Sequence, residues 1–404
     1  MKKTPLTGLL SIMTITGFAE AKALRDTLLP RPQQCEVTQE SFTISDQTKI
    51  VVVSDGAAKG EYAGTQLAKL LKEQYGLNLE IVPKRQGESF SLVLGNQSAS
   101  KAGSLYLEPV KRKEGGYVLR VGEGSATIRA NTAQGLFHGA TTLRQLVATK
   151  KVKGCKISDY PRYEMRCFMI DAGRAHLLPS DERSFTLLDS IYSEWFSAMT
   201  CNYIHLGMDE PLLPRAKRAK YSGELLRRLL ETAKQHNQEP KLIVWADAPE
   251  TPEQYKGDVI RALWSNGNRD LEGGQTKDLK HHKIDVLLKP GCKEKVLMGA
   301  GSSSGGRPGS KCYDQGAFRN LAEWPMLGND KENFIGIIAC QRHGNQLDQW
   351  LPDFLVAADV SWNPPAEVPE FTSQIKGVES RLARFKDEVS PDESETIPLA
   401  WQGV

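Results

Sequence analysis

Residues 202–211 read Asn-Tyr-Ile-His-Leu-Gly-Met-Asp-Glu-Pro, an apolar alternation that runs straight into two adjacent carboxylates and a proline. Tyr203 to Gly207 has the pattern of a buried strand, and the acids stand at its carboxyl end. Like charges this close raise each other's pKa, and burial raises it further, so the pair is costly unless something uses it. Successive residues on a regular strand point to opposite faces. Asp209 and Glu210 therefore reach one ligand only where the strand breaks, and Pro211 is the residue expected to break it. The plainer reading is a helix start, since acids and proline both favour a first turn.

Working outward from this stretch, an apolar strand followed by an amphipathic helix recurs from about residue 160 to 390. Strand Arg166–Asp171 leads to a helix expected to be capped by Ser180, with Asp181 and Glu182 in its first turn. The stripe Leu188, Ile191, Tyr192, Trp195, Phe196 and Met199 has the spacing of a face turned to a core. Next come strand Tyr203–Gly207, helix Gly223–His236, and strands Lys241–Trp245, Val259–Trp264, Val296–Gly299 and Phe334–Ala339. Helices around Phe354–Val360 and Phe371–Val389 close the series. Such alternation predicts an α/β fold with a parallel sheet, and acids at a strand end make it a (β/α) TIM-type barrel, incomplete at about six strands.

The preceding block, 22–155, alternates short strands (Ile50–Val53, Leu79–Val82, Phe90–Leu94, Gly116–Val121, Ala126–Ala130) with two helical patterns, an α+β composition. Its second helix, Asn131–Val147, spaces Leu136, Phe137, Ala140, Leu143 and Leu146 for packing. No acid or base chemistry clusters here.

The 404 residues suffice for two domains, and 52 Lys and Arg nearly balance 49 Asp and Glu. With no basic tract interleaved with aromatics, neither a nucleic-acid nor a membrane-surface role has electrostatic support. Lys2 and Lys3, the apolar stretch Leu6 to Phe18 and the small-x-small triplet Ala19-Glu20-Ala21 read as an export signal cleaved before Lys22. That places the protein in the periplasm or outside the cell, with no membrane attachment after cleavage. The expected divisions are a signal peptide at 1–21, a smaller domain at 22–155, the barrel at 156–392 and a tail at 393–404. Seven cysteines (35, 155, 167, 201, 292, 312 and 340) show no Cys-x-x-Cys spacing, which speaks against zinc or redox motifs. Cys292 and Cys312 flank a loop and either pair in an oxidising compartment or stay as free thiols. The Gly301–Lys311 run lacks the ending of a phosphate loop, and His281-His282 lacks further ligands at metal spacing, so no cofactor is expected.

The stretch Ile157-Ser-Asp-Tyr-Pro-Arg-Tyr-Glu-Met-Arg-Cys-Phe-Met-Ile-Asp-Ala-Gly-Arg174, together with Ile204-His-Leu-Gly-Met-Asp-Glu210, resembles the first strand and the acidic strand of glycoside hydrolase family 20, the β-N-acetylhexosaminidases. Leu29-Pro-Arg-Pro-Gln33 and Ala133-Gln-Gly-Leu-Phe-His-Gly-Ala-Thr-Thr-Leu-Arg-Gln-Leu146 resemble that family's N-terminal, zincin-like accessory domain. The resemblance implies substrate-assisted hydrolysis with retention, in which the sugar's own 2-acetamido oxygen attacks the anomeric carbon. It assigns Asp209 to orienting and polarising the acetamido group, and Glu210 to protonating the leaving oxygen and later activating water. One carboxylate then stays ionised against developing positive charge while helping to keep the other protonated.

By the same resemblance Arg174 binds sugar hydroxyls, His205 belongs to the acidic motif, Trp245 and Trp264 wall the pocket, and Tyr313 bonds the acetamido oxygen. Plainer readings stand beside each: an Arg174–Asp171 ion pair, a buried His205 orienting a neighbour, and tryptophans that are barrel core. Its partners would be glycans or oligosaccharides containing N-acetylhexosamine. The departures are specific. Arg174 and Asp209 are about one βα unit apart, at roughly 31 residues per unit, where the family has several strands between them. Arg342-His343-Gly344 stands where the family has a Trp-x-Glu pair, and Gly207-Met208 replaces the usual Gly-Gly. An active exo-hexosaminidase and a carbohydrate-binding pseudoenzyme are both compatible with this pattern.

Overall fold

The computed structural model describes residues 19–54, 59–85, 90–95, 114–148, 150–170, 181–208, 215–263, 291–302, 333–341, 347–364 and 373–380. They build two sheets with separate cores.

The first sheet contains β1 (Gln34–Thr43), β2 (Lys49–Ser54), β3 (Glu80–Arg85), β4 (Phe90–Gly95), β5 (Tyr117–Gly122), β6 (Ser125–Ala130), β7 (Val147–Ala148) and β8 (Lys151–Asp159). Its order is β1-β8-β5-β6-β4-β2-β3, with β7 beside β8. Only β2 and β3 run parallel, joined by helix α1 (Lys59–Tyr75). Helix α2 (Ala133–Leu146) starts where the Thr132 side chain accepts the Gly135 N–H at 3.1 Å. It buries Leu136, Ala140, Leu143 and Leu146 on the sheet, whereas Phe137 is partly exposed and lies against Tyr62. Gly139 sets how closely helix and sheet approach, because a Cβ there would strike Ile128 and the Tyr117 ring. Tyr117, Leu119, Val121, Ile128 and Leu143 are fully buried in this core, and each large apolar side chain so buried contributes about 1.5–3 kcal/mol. The strand β8 runs across the division expected at 155 and carries the sheet on to Asp159.

The second sheet is wholly parallel: β9 (Met165–Ile170), β10 (Tyr203–His205), β11 (Lys241–Trp245), β12 (Val259–Leu263), β13 (Lys295–Ser302) and β14 (Phe334–Gln341), in the order β10-β11-β12-β13-β14-β9. The expected incomplete TIM-type barrel is therefore present as a curled sheet of six strands. Among the described residues the first strand of this sheet, β9, bonds to the last, β14, as in a closed ring, and the opening falls between β9 and β10. That is where the sequence is short of βα units.

Helix α3 (Glu182–Ala198) lies between β9 and β10 in the chain, and α4 (Arg215–Gln235) follows β10. The cap of α3 is Asp181, whose carboxylate accepts the Arg183 N–H at 3.0 Å, and not Ser180, which lies outside the described residues. Two buried layers result. Tyr192 and Phe196 of α3, Leu226, Leu229 and Ala233 of α4, and Ile204, Leu242, Val244 and Val259 fill the outer one. Met165, Ile243, Trp245, Ile260, Ala262, Leu297, Ile335 and Ile338 fill the interior. The stripe on α3 is narrower than expected: Trp195 and Met199 are 44% and 58% exposed. The buried face of α3 turns to α4 and the sheet, and Trp195 and Met199 stand outside that contact.

Between β11 and β12 the chain makes only a short 3₁₀ turn at Glu253–Tyr255. Arg261 takes over the work of a helix there. Its guanidinium donates to the carbonyls of Ala248 and Pro249 at 3.0 and 2.8 Å, to Thr251 Oγ1 at 2.6 Å and to Glu294 at 3.0 Å.

Helix α5 (Leu347–Trp362) joins the domains. Its Asp359 accepts the Arg31 backbone N–H at 2.5 Å and Arg31 Nε at 3.2 Å, and its Trp362 is built into the core of the first domain. Cys35, Cys155, Cys167, Cys201 and Cys292 are free thiols; Cys312 lies outside the described residues.

Candidate active site

The strand that leads to the acid pair is short but firmly registered. Tyr203, Ile204 and His205 lie opposite Lys241, Leu242 and Ile243. The pairing runs past the strand's formal end, because Leu206 N–H donates to Ile243 at 2.8 Å and Trp245 N–H donates to the Gly207 carbonyl at 3.0 Å. Ile204 is buried under α3 and α4, so alternation turns His205 to the barrel interior, the side that Ile243 and Trp245 share.

Immediately afterwards the chain breaks. Gly207 and Met208 both hold φ at 69°, two left-handed residues in succession directly ahead of Asp209. The strand therefore ends before the acids, two residues upstream of them, and not at Pro211, which lies outside the described residues. Glycine adopts this backbone freely, whereas methionine does so at a cost of about 1–2 kcal/mol. The Met208 side chain packs with Leu188, Leu206, Leu225 and Leu230 around the outer core. Strained backbone of this kind concentrates at ligand-binding and catalytic positions.

His205 is fixed from two sides. The Gly207 N–H donates to its Nδ1 at 3.0 Å, which in the neutral ring leaves the proton on Nε2. Its ring stands edge-on to Trp245, centroids 4.7 Å apart and planes at 62°. Trp245 itself is 3% exposed among the interior apolar side chains, so it forms the floor beneath His205 and offers almost no open face. At the amino end of the same strand, Tyr203 is half exposed at the barrel opening. Its hydroxyl is pushed above the ordinary tyrosine range by partial burial and then by the charges of Glu164 and Cys167, which act from the β9 side of the gap.

Of the residues singled out in the sequence, the structure thus brings together His205 and Trp245. Asp209, Glu210, Arg174, Trp264 and Tyr313 lie outside the described residues. The paired left-handed turn was not read from the sequence, although Gly207 at the end of an apolar run was its signal. Among the described residues no group of three or more His, Cys, Asp or Glu could hold a metal ion, and no helix is long and apolar enough to cross a membrane.

Comparison with known proteins agrees with this architecture. Residues 26–160 match the family model described as glycosyl hydrolase family 20, domain 2. A β-hexosaminidase of Porphyromonas gingivalis is 26% identical over 189 residues, which cover 43% of this chain and 23% of that relative. The match thus spans less than a quarter of the relative's length. The β-N-acetylhexosaminidase of Streptomyces coelicolor superposes with a TM-score of 0.63 at 14% identity, over 89% of this chain and 96% of that one. An exo-β-N-acetylglucosaminidase of Vibrio harveyi, solved in complex with N-acetylglucosamine, gives 0.61 at 15% identity over 90% and 78%. At such identities the superpositions speak for the fold alone. Residues 26–160 thus match domain 2 of glycosyl hydrolase family 20, and the parallel sheet that follows, six strands among the described residues, shares the fold of the β-N-acetylhexosaminidases it superposes on.

Proposed function

We propose that the protein is a β-N-acetylhexosaminidase that removes terminal N-acetylglucosamine or N-acetylgalactosamine from glycans or oligosaccharides. The observation that carries this reading is the double left-handed turn at Gly207 and Met208, which ends β10 at the carboxyl edge of the barrel sheet directly ahead of Asp209 and Glu210. Barrel enzymes place their chemistry at that edge.

In the proposed reaction the acetamido oxygen of the bound sugar attacks its own anomeric carbon. The bond to the leaving oxygen breaks as Glu210 transfers its proton there, and an oxazolinium ring forms. Asp209, ionised, holds the acetamido N–H and faces the developing positive charge. Glu210, now a carboxylate, takes a proton from water as that water opens the ring, and the product keeps the β configuration. Acid–base catalysis of this kind contributes roughly 10²–10⁴ in rate. Arg174 is proposed to bind the sugar hydroxyls, with Trp264 and Tyr313 around the pocket and His205 fixing the backbone that leads to the acids. We further propose export, with Lys22 as the first residue of the mature chain.

A second reading is a carbohydrate-binding pseudoenzyme, and the gap between β9 and β10 favours it, since an open barrel has one pocket side fewer. Hydrolysis of aryl N-acetyl-β-glucosaminide and N-acetyl-β-galactosaminide by the chain from Lys22, beside Glu210→Gln, decides between them. Release that the variant abolishes supports hydrolysis. A folded protein that binds N-acetylhexosamine yet releases nothing supports binding alone.

A further inference from the structure

Trp362 ends a barrel helix yet is 6% exposed inside the accessory-domain core. Its indole N–H donates to both oxygens of Asp159, at 2.9 and 3.0 Å. Asp159 closes β8 and is 1% exposed. The Gln33 backbone N–H and the Tyr117 hydroxyl each donate to it at 2.9 Å, and the Tyr160 backbone adds a further bond. All of these donors are neutral.

The charged and titratable groups on the surrounding elements are engaged elsewhere. Arg166 of β9 lies over the Trp362 ring at 5.3 Å while its guanidinium donates to the carbonyls of Tyr163 and Glu164. His138 of α2 meets the other side of Trp362 edge-on at 4.8 Å, its Nδ1 2.9 Å from the Gly115 carbonyl. Burial holds that imidazole below its ordinary range, so it brings no charge at neutral pH. Arg31 is paired with Asp359, with Asp26 at 3.7 Å, and Arg25 donates to the Pro32 carbonyl. Cys155, on β8 itself, is a thiol that burial pushes up to about 12.

Beyond Tyr117 the hydrogen bonds continue to Thr142, whose Oγ1 stands 2.6 Å from the tyrosine hydroxyl with either atom able to donate. The chain therefore has two settings. With Asp159 ionised, Tyr117 donates to it. With Asp159 protonated, the acid donates to Tyr117 and Tyr117 donates to Thr142. Every heavy atom keeps its place in both.

We propose that Trp362 and Asp159 form a latch that docks the barrel onto the accessory domain, and that the docked state is held more firmly when Asp159 takes up a proton, relief of the buried charge outweighing the weaker bond that Trp362 then makes. A carboxylate buried among neutral donors lacks the counter-charge that would favour ionisation, and the relay to Thr142 gives the protonated acid a satisfied place. Burial accordingly lifts the Asp159 carboxyl from 3.8 to about 6, against the opposing hydrogen bonds from Trp362, Gln33, Tyr117 and Tyr160. A folded-state pKa above the unfolded one means a contribution to stability that is complete below the unfolded pKa and lost as pH rises through the folded one. The window runs from about pH 4 to about pH 6.

The test is thermal unfolding and tryptophan emission of the full chain between pH 4 and 8, for the natural sequence and for Asp159→Asn, Trp362→Phe and Thr142→Val. The natural protein is expected to lose stability relative to Asp159→Asn as pH rises across that window, with an emission change centred near pH 6 that Asp159→Asn and Trp362→Phe lack. Thr142→Val strands the tyrosine proton of the protonated setting, so it moves the midpoint down. Trp362→Phe removes a donor from the carboxylate, so it moves the stability midpoint up. Identical pH dependence in the natural protein and Asp159→Asn overturns the proposal. Should Asp159→Asn fail to fold, the other two variants decide: midpoints displaced in opposite directions support the latch, and midpoints that do not move overturn it.

Discussion

The backbone N–H of Trp245 donates to the carbonyl of Gly207 across 3.0 Å, past the end of the three-residue strand that precedes it. This bond pins the first of the two left-handed residues, so neighbouring strand β11 holds the turn at which β10 stops. The chain ahead of the acids thus leaves the sheet from an anchored point.

Met208 then bears the cost of that turn. Met208→Gly removes strain of about 1–2 kcal/mol and gives up a half-buried side chain of about the same worth, so the two nearly cancel. Met208→Val keeps a Cβ and adds a branch, and should destabilise by about 2 kcal/mol. Urea unfolding of the three proteins checks the order, and a valine variant as stable as the parent would contradict the left-handed turn.

His205 is expected to tolerate asparagine better than phenylalanine. An asparagine carbonyl can accept the Gly207 N–H in place of Nδ1, whereas phenylalanine leaves that donor without its acceptor at a cost of about 1–3 kcal/mol. Thermal melts of His205→Asn and His205→Phe should therefore separate by several degrees, the asparagine variant higher.

Arg261 and Glu294 are 5% and 12% exposed at their side chains, which makes the pair costly to break on one side only. Arg261→Met should destabilise by about 3–5 kcal/mol, since it strands a buried carboxylate. The segment between β11 and β12 should also become the first site of cutting in limited proteolysis. A stable variant that resists the protease would remove Arg261 from the role given to it.

On α3 two aromatic neighbours are expected to behave oppositely. Phe196→Ala empties part of the layer shared with α4 and should cost about 3–5 kcal/mol. Trp195→Ser touches an exposed ring and should stay within about 0.5 kcal/mol. Equal effects in chemical denaturation would mean that the stripe is wider than the structure places it.

The sequence disclosed the barrel because its strands are apolar on both faces and sit at regular spacing, and it disclosed the missing units through the short distance from Arg174 to Asp209. Sequence similarity carried the accessory domain. Backbone conformation was harder to read, since nothing in the letters of Met208 announces a positive φ; the turn follows from the register that β11 imposes. The width of the α3 stripe was overestimated because periodicity reports which residues share a face and says nothing of whether a neighbour covers it. Trp362 and Asp159 escaped notice for a related reason. They are 203 positions apart, and neither belongs to a local pattern.

The bond between the first and last barrel strands has a consequence for how a ring of this kind tolerates shortening. Because β9 still holds β14, the lost arc leaves one sheet with two raw edges in place of two fragments with four. On one of those edges the exposed rung is three residues long, and strands that short make poor templates for pairing with another chain. Among the described residues the reduction is thus confined to a single seam, and the five strand pairs, in unbroken succession, keep their parallel order from Tyr203 round to Ile170.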